Sequence, residues 1–310
     1  MGVKLLSKLL KTQCYDETKV THLSCLFGKK ICIDVSIYLY RYKSQNTLIE
    51  SFYLMCSLFK HYNITPIFIF DGKPPESKRE ELEKRKQNRL ECEEKYNELK
   101  NKIEGNITKE QEKELYNLKK GMTRITWEDV KTVQDLFDSY GIKYMTAIGE
   151  ADALCASLVI KKKVYAVLTE DMDLFAYTCP IVLRYFSLAN HTCILYDLKK
   201  ILKKLDIDKQ NFRILCVLSG NDYYNNKYNI FHYLRLYTKY KKTALEITFI
   251  EWLKGMKQID STEAEEITNV VNIYKNIKDE LSNYPYTVIR FGGVDKESLY
   301  NILEKDRFVF

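Results

Sequence analysis

The sequence predicts an α/β fold: a parallel sheet flanked by helices, interrupted by a charged helical insertion and followed by a nearly all-helical region. Three observations carry this prediction. Short apolar runs alternate with helical patterns as far as Asp197, the signature of βαβ units and a parallel sheet. Several of those runs end on a carboxylate. Residues 76–120 break the alternation with a dense run of Lys, Arg and Glu that holds few apolar residues.

The elements follow in order. Ile31-Cys32-Ile33 reads as a strand ending at Asp34, and Ile67-Phe68-Ile69-Phe70 as a second ending at Asp71. Met145 to Ile148 closes a third, just before Glu150 and Asp152. Val164 to Leu168 forms a fourth, which runs into Thr169-Glu170-Asp171-Met172-Asp173. Helical patterns span Leu48 to His61, Glu128 to Tyr140 and Ala151 to Lys161. Ile181-Val182-Leu183 and Cys193-Ile194-Leu195 add strands, and beyond Asp197 the pattern is helical. The insertion, with a break at Gly105-Asn106, reads as one or two long solvated helices. They are either held by i,i+4 ion pairs or arched over the strand ends.

Composition bounds the function. A hydrophobic fraction of 45% supports a real core, and no apolar run is long enough to span a membrane. The first residues lack the apolar region of a secretory signal. The nine cysteines are scattered without a Cys-x-x-Cys pair, which disfavours zinc and suits reduced thiols inside a cell. The net charge of +7, from 49 basic and 42 acidic residues, permits a nucleic-acid partner without demanding one.

The acids carry the chemistry. Asp34, Asp71, Glu150, Asp152, Asp171 and Asp173 fall at or just past the C-terminal ends of predicted strands. In an open parallel sheet those ends share one edge, and ligands bind there. A seventh acid, Asp222, follows the apolar run Ile214 to Leu218. Any one of them is equally an N-cap or a solvated turn residue. Seven together repel unless protons or cations intervene. A set without His or Cys favours Mg²⁺, with Mn²⁺ able to substitute, over zinc. Two such ions about 4 Å apart clamp the attacking and leaving oxygens of an in-line phosphoryl displacement, which points to phosphodiester hydrolysis. Glu150 and Asp152 are two apart and do not share a face of a regular helix. Splayed at a first turn they both reach a metal, and Gly149 before them suits such a turn.

These residues also form a familiar order. Met1-Gly2-Val3-Lys4-Leu5-Leu6, Gly28-Lys29-Lys30-Ile31-Cys32-Ile33-Asp34, Phe70-Asp71-Gly72-Lys73-Pro74-Pro75, Glu150-Ala151-Asp152-Ala153, Thr169 to Asp173, and Gly220-Asn221-Asp222-Tyr223 follow one another along the chain. Val294 to Leu299 with Asp306-Arg307-Phe308 closes the series. The series resembles the flap endonuclease branch of the XPG family of structure-specific 5′ nucleases, with Asp152 where a glutamate is usual. The resemblance implies a PIN-like nuclease core over 1–222, with the arch at about 76–120, and a helical duplex-binding region over 223–310. It implies two Mg²⁺ ions held by the seven acids and cleavage of DNA bearing a 5′ flap or free 5′ end, in replication, repair or recombination. A junction-resolving or RNA-directed relative, or a non-catalytic nucleic-acid-binding scaffold, is the alternative. Lys78 and Arg85 match cations that reach the scissile phosphate, with Asp171 among the catalytic acids. Tyr40 matches an aromatic on which a terminal base stacks.

No acid lies between Asp222 and Glu246. Lys227, Arg235, Lys239, Lys241 and Lys242 are there instead, interleaved with Tyr223, Tyr224, Tyr228, Tyr233, Tyr237 and Tyr240, a strip suited to a phosphate backbone. Where the family carries a Gly-Ile-Gly hairpin, this chain reads Asn229-Ile230-Phe231, so the amide nest and its monovalent cation are not expected. No sliding-clamp motif is visible before Phe310, and a monomer is expected. The expected location is intracellular and reducing, in a nucleus or at a cytoplasmic viral replication site.

Overall fold

The computed structural model describes every residue except 1, 104–106, 244–245, 278–289, 307 and 309–310, and every described side chain except those of residues 77, 80 and 81. Seven strands, β1 (Thr18–His22), β2 (Lys30–Asp34), β3 (Thr65–Phe70), β4 (Lys143–Thr146), β5 (Ala166–Leu168), β6 (Ile181–Ser187) and β7 (Thr192–Asp197), form one sheet in the order β1-β7-β6-β5-β2-β3-β4. β6, β5, β2, β3 and β4 are parallel throughout. The sheet is nonetheless mixed, because β7 returns antiparallel to β6 and β1 pairs antiparallel with β7.

The central strands are buried on both faces, and their side chains alternate between two cores. Cys32, Ile67, Ile69, Val167 and Val182 face one core, which holds helices Leu6–Gln13, Ala151–Ile160, Lys209–Leu218, Ile230–Lys242, Phe249–Gly255 and Ser261–Lys275. Ile31, Ile33, Phe68, Phe70, Ala166 and Leu168 face the other, with helices Val35–Ser44, Leu48–His61, Trp127–Tyr140 and Lys296–Lys305. There Phe68 stacks on Phe137 with ring centroids 4.0 Å apart. Residues on both sides of position 222 share the first core.

The helix expected over Leu48 to His61 has those bounds, and the next two differ from expectation by about one residue. β4 ends at Thr146, so Ala147 and Ile148 belong to the turn. The insertion forms two packed helices, Arg79–Lys102 and Lys109–Met122. The expected break at Gly105-Asn106 lies outside the described residues, as does Arg307 of the closing motif. Among the described residues no helix is long and apolar enough to cross a membrane. No described cysteine is bonded to another, and Cys14, Cys32, Cys56, Cys155, Cys179, Cys193 and Cys216 are buried.

The turn after β3 is locked to the turn after β4. The Gly72 amide donates to the Gly149 carbonyl at 2.7 Å and that of Lys73 to Ile148 at 3.1 Å. A Cβ on Gly72 would lie 1.9 Å from the Ala147 carbonyl oxygen, whereas one on Gly149 would meet open space. The glycine that shapes the acid-bearing turn is therefore Gly72 and not Gly149. Gly72→Ala is predicted to lower the unfolding free energy by about 1–3 kcal/mol, the range for overpacking; an unchanged urea midpoint would contradict this.

Candidate active site

Neighbouring parallel strands deliver the acids. β5, β2, β3 and β4 lie side by side, and their C-terminal ends lead into Thr169–Asp173, Asp34, Asp71 and Glu150–Asp152 respectively. Asp34 is both the end of β2 and the N-cap of helix Val35–Ser44, its Oδ1 accepting from the Ser36 amide at 3.1 Å. Thr169, fully buried, donates from Oγ1 to Asp34 Oδ2 at 2.9 Å. Asp71 Oδ1 accepts the Ala151 amide at 2.8 Å, so the first turn of helix Ala151–Ile160 points at a carboxylate, as a helix N-terminus favours. Its other oxygen accepts from the Ser36 hydroxyl.

Glu150 precedes that helix and Asp152 sits in its first turn, so both reach the edge as their spacing requires. Asp171 Oδ1 accepts the Asp173 amide at 3.0 Å, and Asp173 Oδ2 accepts from the Tyr274 hydroxyl at 2.9 Å. Asp222 comes in from the end of helix Lys209–Leu218. Glu170, between the two aspartates, turns away to Arg41, at 3.5 Å, and Arg184, at 3.7 Å.

The cations and phenols around the edge are attached to it. Lys78, only 6% exposed, sits 2.7 Å from Glu150 Oε1 and 3.2 Å from Asp222 Oδ2. Arg85, on the arch helix Arg79–Lys102 that Lys78 caps, donates to Asp222 Oδ2 at 2.7 Å. Burial works against the Lys78 charge, but Tyr223, Glu150 and Asp222 outweigh it and hold the ammonium above the ordinary lysine range. The Tyr223 hydroxyl donates to Glu150 Oε2, and Lys78 lies over the Tyr223 ring at 4.7 Å. Tyr223 and Tyr177 both pack edge-on against Tyr274, at 5.6 and 4.8 Å. Burial, then Asp173, raises the Tyr274 pKa, which keeps its hydroxyl a donor.

Three of the carboxyls, Asp34, Asp152 and Asp173, resist ionisation. Burial, then the Asp71 charge, pushes Asp34 up to about 7. Burial, then Asp171, raises both Asp152 and Asp173 well above the carboxylate range. Asp152 Oδ1 and Asp173 Oδ1 are buried without a hydrogen-bond partner. Buried orphan oxygens among like charges, all of them hard donors, fit hard divalent cations. Among the described residues no three of these groups close into a ready cage.

Other expected site residues are placed less directly. Tyr40 is 49% exposed on helix Val35–Ser44, free of the core and available to a base. The strip after Asp222 is split by its helix. Tyr224, Tyr233 and Tyr237 are core residues, while Lys227, Arg235, Lys239, Lys241 and Lys242 lie on the outside. The aromatic half of the strip is therefore mostly packing, because tyrosines at helical spacing fill the inward stripe of Ile230–Lys242. Lys241 is engaged by Asp206. Asn229 caps that helix, accepting the Phe231 amide at 3.0 Å, and Ile230 is fully buried. No described residue from 221 to 231 has positive φ, as a chain without the hairpin glycines requires.

Four contributors were not singled out from the sequence as site residues. Gly2, at φ +78°, lies against the acids so closely that a Cβ would be 2.3 Å from Asp171 Oδ1 and 2.6 Å from Asp173 Oδ1. Lys4 holds this N-terminal segment in place through Asn225 Oδ1 at 2.7 Å and the Asn226 carbonyl at 3.1 Å. Thr169 was visible only as part of a motif. Tyr274 arises from an ordinary amphipathic helix and left no signal.

Comparison with known proteins settles the family. Residues 1–92 match the XPG N-terminal domain and residues 141–222 the XPG I-region. Flap endonuclease 1 of Encephalitozoon cuniculi is 33% identical over 240 residues, covering 72% of this chain and 68% of that protein. The chain belongs to the XPG family. Flap endonuclease 1 of Meyerozyma guilliermondii is 34% identical over 243 residues, and this XPG chain spans 63% of its length while 72% of the chain is matched. Among solved structures, the catalytic core of Rad2 in complex with DNA substrate superposes with a TM-score of 0.69 at 22% identity, covering 98% of this chain and 95% of that one. The flap endonuclease of Methanococcus jannaschii does so at 0.56 and 22%, over 93% and 90%. GEN1, a junction-resolving enzyme solved with product DNA and a Mg²⁺ ion, does so at 0.58 and 18%, over 95% and 72%. The mixed sheet with its helical insertion is thus the nuclease fold of this XPG chain's structural neighbours.

The raised Asp34 pKa has a defined consequence for stability. An aspartate that binds its proton more tightly when folded makes the folded state lose stability as pH rises from its ordinary 3.8 to about 7. Without divalent cations, the melting temperature of the wild type is predicted to fall across that window, and Asp34→Asn to flatten the fall; identical pH profiles for the two proteins would contradict it.

Proposed function

We propose that this chain is a divalent-metal-dependent hydrolase, a structure-specific 5′ flap endonuclease and 5′-3′ exonuclease acting on DNA. The observation that supports it most is the acid edge. Four adjacent parallel strands bring Asp171, Asp173, Asp34, Asp71, Glu150 and Asp152 together, beside Asp222, with two buried oxygens left without partners. These seven would hold two Mg²⁺ ions. When bound, the ions supply countercharge to the acids and Lewis-acid activation of the phosphodiester and of water.

The chain's own groups do the rest. Thr169, Ser36, Tyr223, Tyr274 and the Ala151 amide fix the carboxyl orientations, as partners of metal ligands commonly do. Lys78 and Arg85 project from the arch over Asp222, where their charge would meet the scissile phosphate and stabilise the extra negative charge of its transition state. Entry of a phosphate would exchange their carboxylate partners for phosphate oxygens. Tyr40 would stack the base at the strand terminus. The arch would select a free single-stranded 5′ end, and the outward cations of helix Ile230–Lys242 would grip the duplex. Water adds to phosphorus and the bond to the 3′ oxygen breaks, leaving a 5′-phosphate and a 3′-hydroxyl.

A panel of labelled flap, nicked, four-way and RNA-containing substrates tests this. With Mg²⁺, the wild type is predicted to cut the 5′ flap fastest. Asp171→Ala should abolish cutting, and Lys78→Ala should slow it by about 10²–10³-fold, the range for loss of one preorganised transition-state donor. Preference for the four-way junction or for RNA would replace the flap reading with a relative of the same core. An intact flap in every arm would sink it.

A further inference from the structure

Helix Leu198–Leu205 reads Leu-Lys-Lys-Ile-Leu-Lys-Lys-Leu. Leu198, Ile201 and Leu202 are buried, and Lys199, Lys200, Lys203 and Lys204 are exposed. A solvated lysine face is common, but this one is only half matched to its own helix: Lys203 and Lys204 sit in the last turn, where the dipole favours cations. No acid occupies the first turn, where Lys199 and Lys200 instead face the positive end of the helix dipole. Lys199 with Lys203, and Lys200 with Lys204, are like-charge i,i+4 pairs, which destabilise a helix. Asp197 offsets only part of this, capping the Lys200 amide at 3.3 Å with its carboxylate 3.8 Å from the Lys200 ammonium.

The surroundings add to the charge. Helix Leu6–Gln13, which packs beside it, exposes Lys8 and Lys11. Lys241 Nζ binds the Asp206 carbonyl at 3.0 Å and the Asp206 carboxylate, tying the end of the lysine helix to helix Ile230–Lys242. The C-terminal end of the lysine helix therefore lies against the end of helix Ile230–Lys242 that carries Lys239 and Lys242. Three of the acids nearby are committed: Asp197 and Asp208 cap helices, and Asp206 holds Lys241. Asp16 and Glu17 have no such tie among the interactions described, and the Glu17 Oε2 is buried without a hydrogen-bond partner.

We propose that the lysine helix Leu198–Leu205, with Lys8 and Lys11, is an additional phosphate-backbone contact that lengthens the duplex-binding face of helix Ile230–Lys242. The inference rests on the duplex reading above. A polyanion laid across the helix offsets the repulsion that the four lysines impose on it, and release of condensed counterions drives the contact. The contact carries no sequence information, since it reaches phosphates and not base edges.

The test is the quadruple variant Lys199→Gln, Lys200→Gln, Lys203→Gln, Lys204→Gln, since glutamine matches lysine in helix propensity. Anisotropy titrations in metal-free buffer, across a salt series, use duplex DNA with a short and a long arm, so that binding is read without cleavage. The wild type should bind the long duplex more tightly than the short one. The variant should lose that advantage, with a salt slope shallower by up to about 3.6, at about 0.9 for each phosphate that one of the four lysines no longer neutralises. Its circular dichroism should match that of the wild type, which shows the fold intact, and the matching Lys→Arg variant should bind as the wild type does. Equal affinity and slope in wild type and variant would overturn the lysine helix alone. A wild type that binds neither duplex would overturn both this contact and the duplex reading beneath it.

Discussion

Like charges on one edge of the sheet set the terms for the rest of the molecule. Parallel register forces the ends of β5, β2, β3 and β4 to the same side, and each end carries acid. Ionised together in a buried setting these groups would cost far more than a domain's net stability allows. The surrounding elements respond in two ways. Some donate to single oxygens: the Ser36 and Thr169 hydroxyls, the Ala151 amide and the Tyr223 and Tyr274 phenols. Others bring positive charge, as Lys78 and Arg85 do from the base of the arch. What remains is carried by protonation of Asp34, Asp152 and Asp173 or by bound cations. Only the second option leaves the acids available for chemistry at neutral pH.

The same constraint gives the C-terminal region a part in the site. Tyr274, on helix Ser261–Lys275, hydrogen-bonds Asp173, and its ring braces Tyr177 and Tyr223. Tyr223 in turn bears on Glu150 and Lys78. A layer of aromatic rings thus lies behind the acids, apolar towards the core and hydrogen-bonding towards the carboxylates, the division that suits tyrosine. The N-terminus closes the other side, where Gly2 fits against Asp171 and Asp173 with no room for a side chain. A helical region that holds one of the acids and an N-terminal segment that lies against two make the site a property of the whole chain.

Legibility in the sequence followed burial. Strands β2, β3 and β5 could be read because both faces are buried and the apolar runs stop at acids. β1, Thr-Lys-Val-Thr-His, could not: it is an edge strand whose Val20 is 76% exposed, so neither face shows a pattern. The antiparallel return through β7 was hidden for a related reason, since an apolar triplet does not announce its direction. The seven acids were legible because they stand at the boundary between two periodicities. Tyr233 and Tyr237, which in the sequence read as part of a strip suited to a phosphate backbone, are buried, because tyrosine serves a core and a surface equally well and only the helix face decides. Tyr274 left no signal and Gly2 showed only as part of the Met1 to Leu6 motif, because their roles are contacts across the fold, which no local pattern encodes.

Everything proposed for the chemistry requires the acid edge to be a two-cation site. Anomalous diffraction from crystals soaked in Mn²⁺ examines that edge without relying on cleavage. Two peaks about 4 Å apart are predicted, ligated by carboxyl oxygens from among Asp34, Asp71, Glu150, Asp152, Asp171, Asp173 and Asp222. A single peak elsewhere, or none at this edge in crystals that bind Mn²⁺ at other positions, would contradict it.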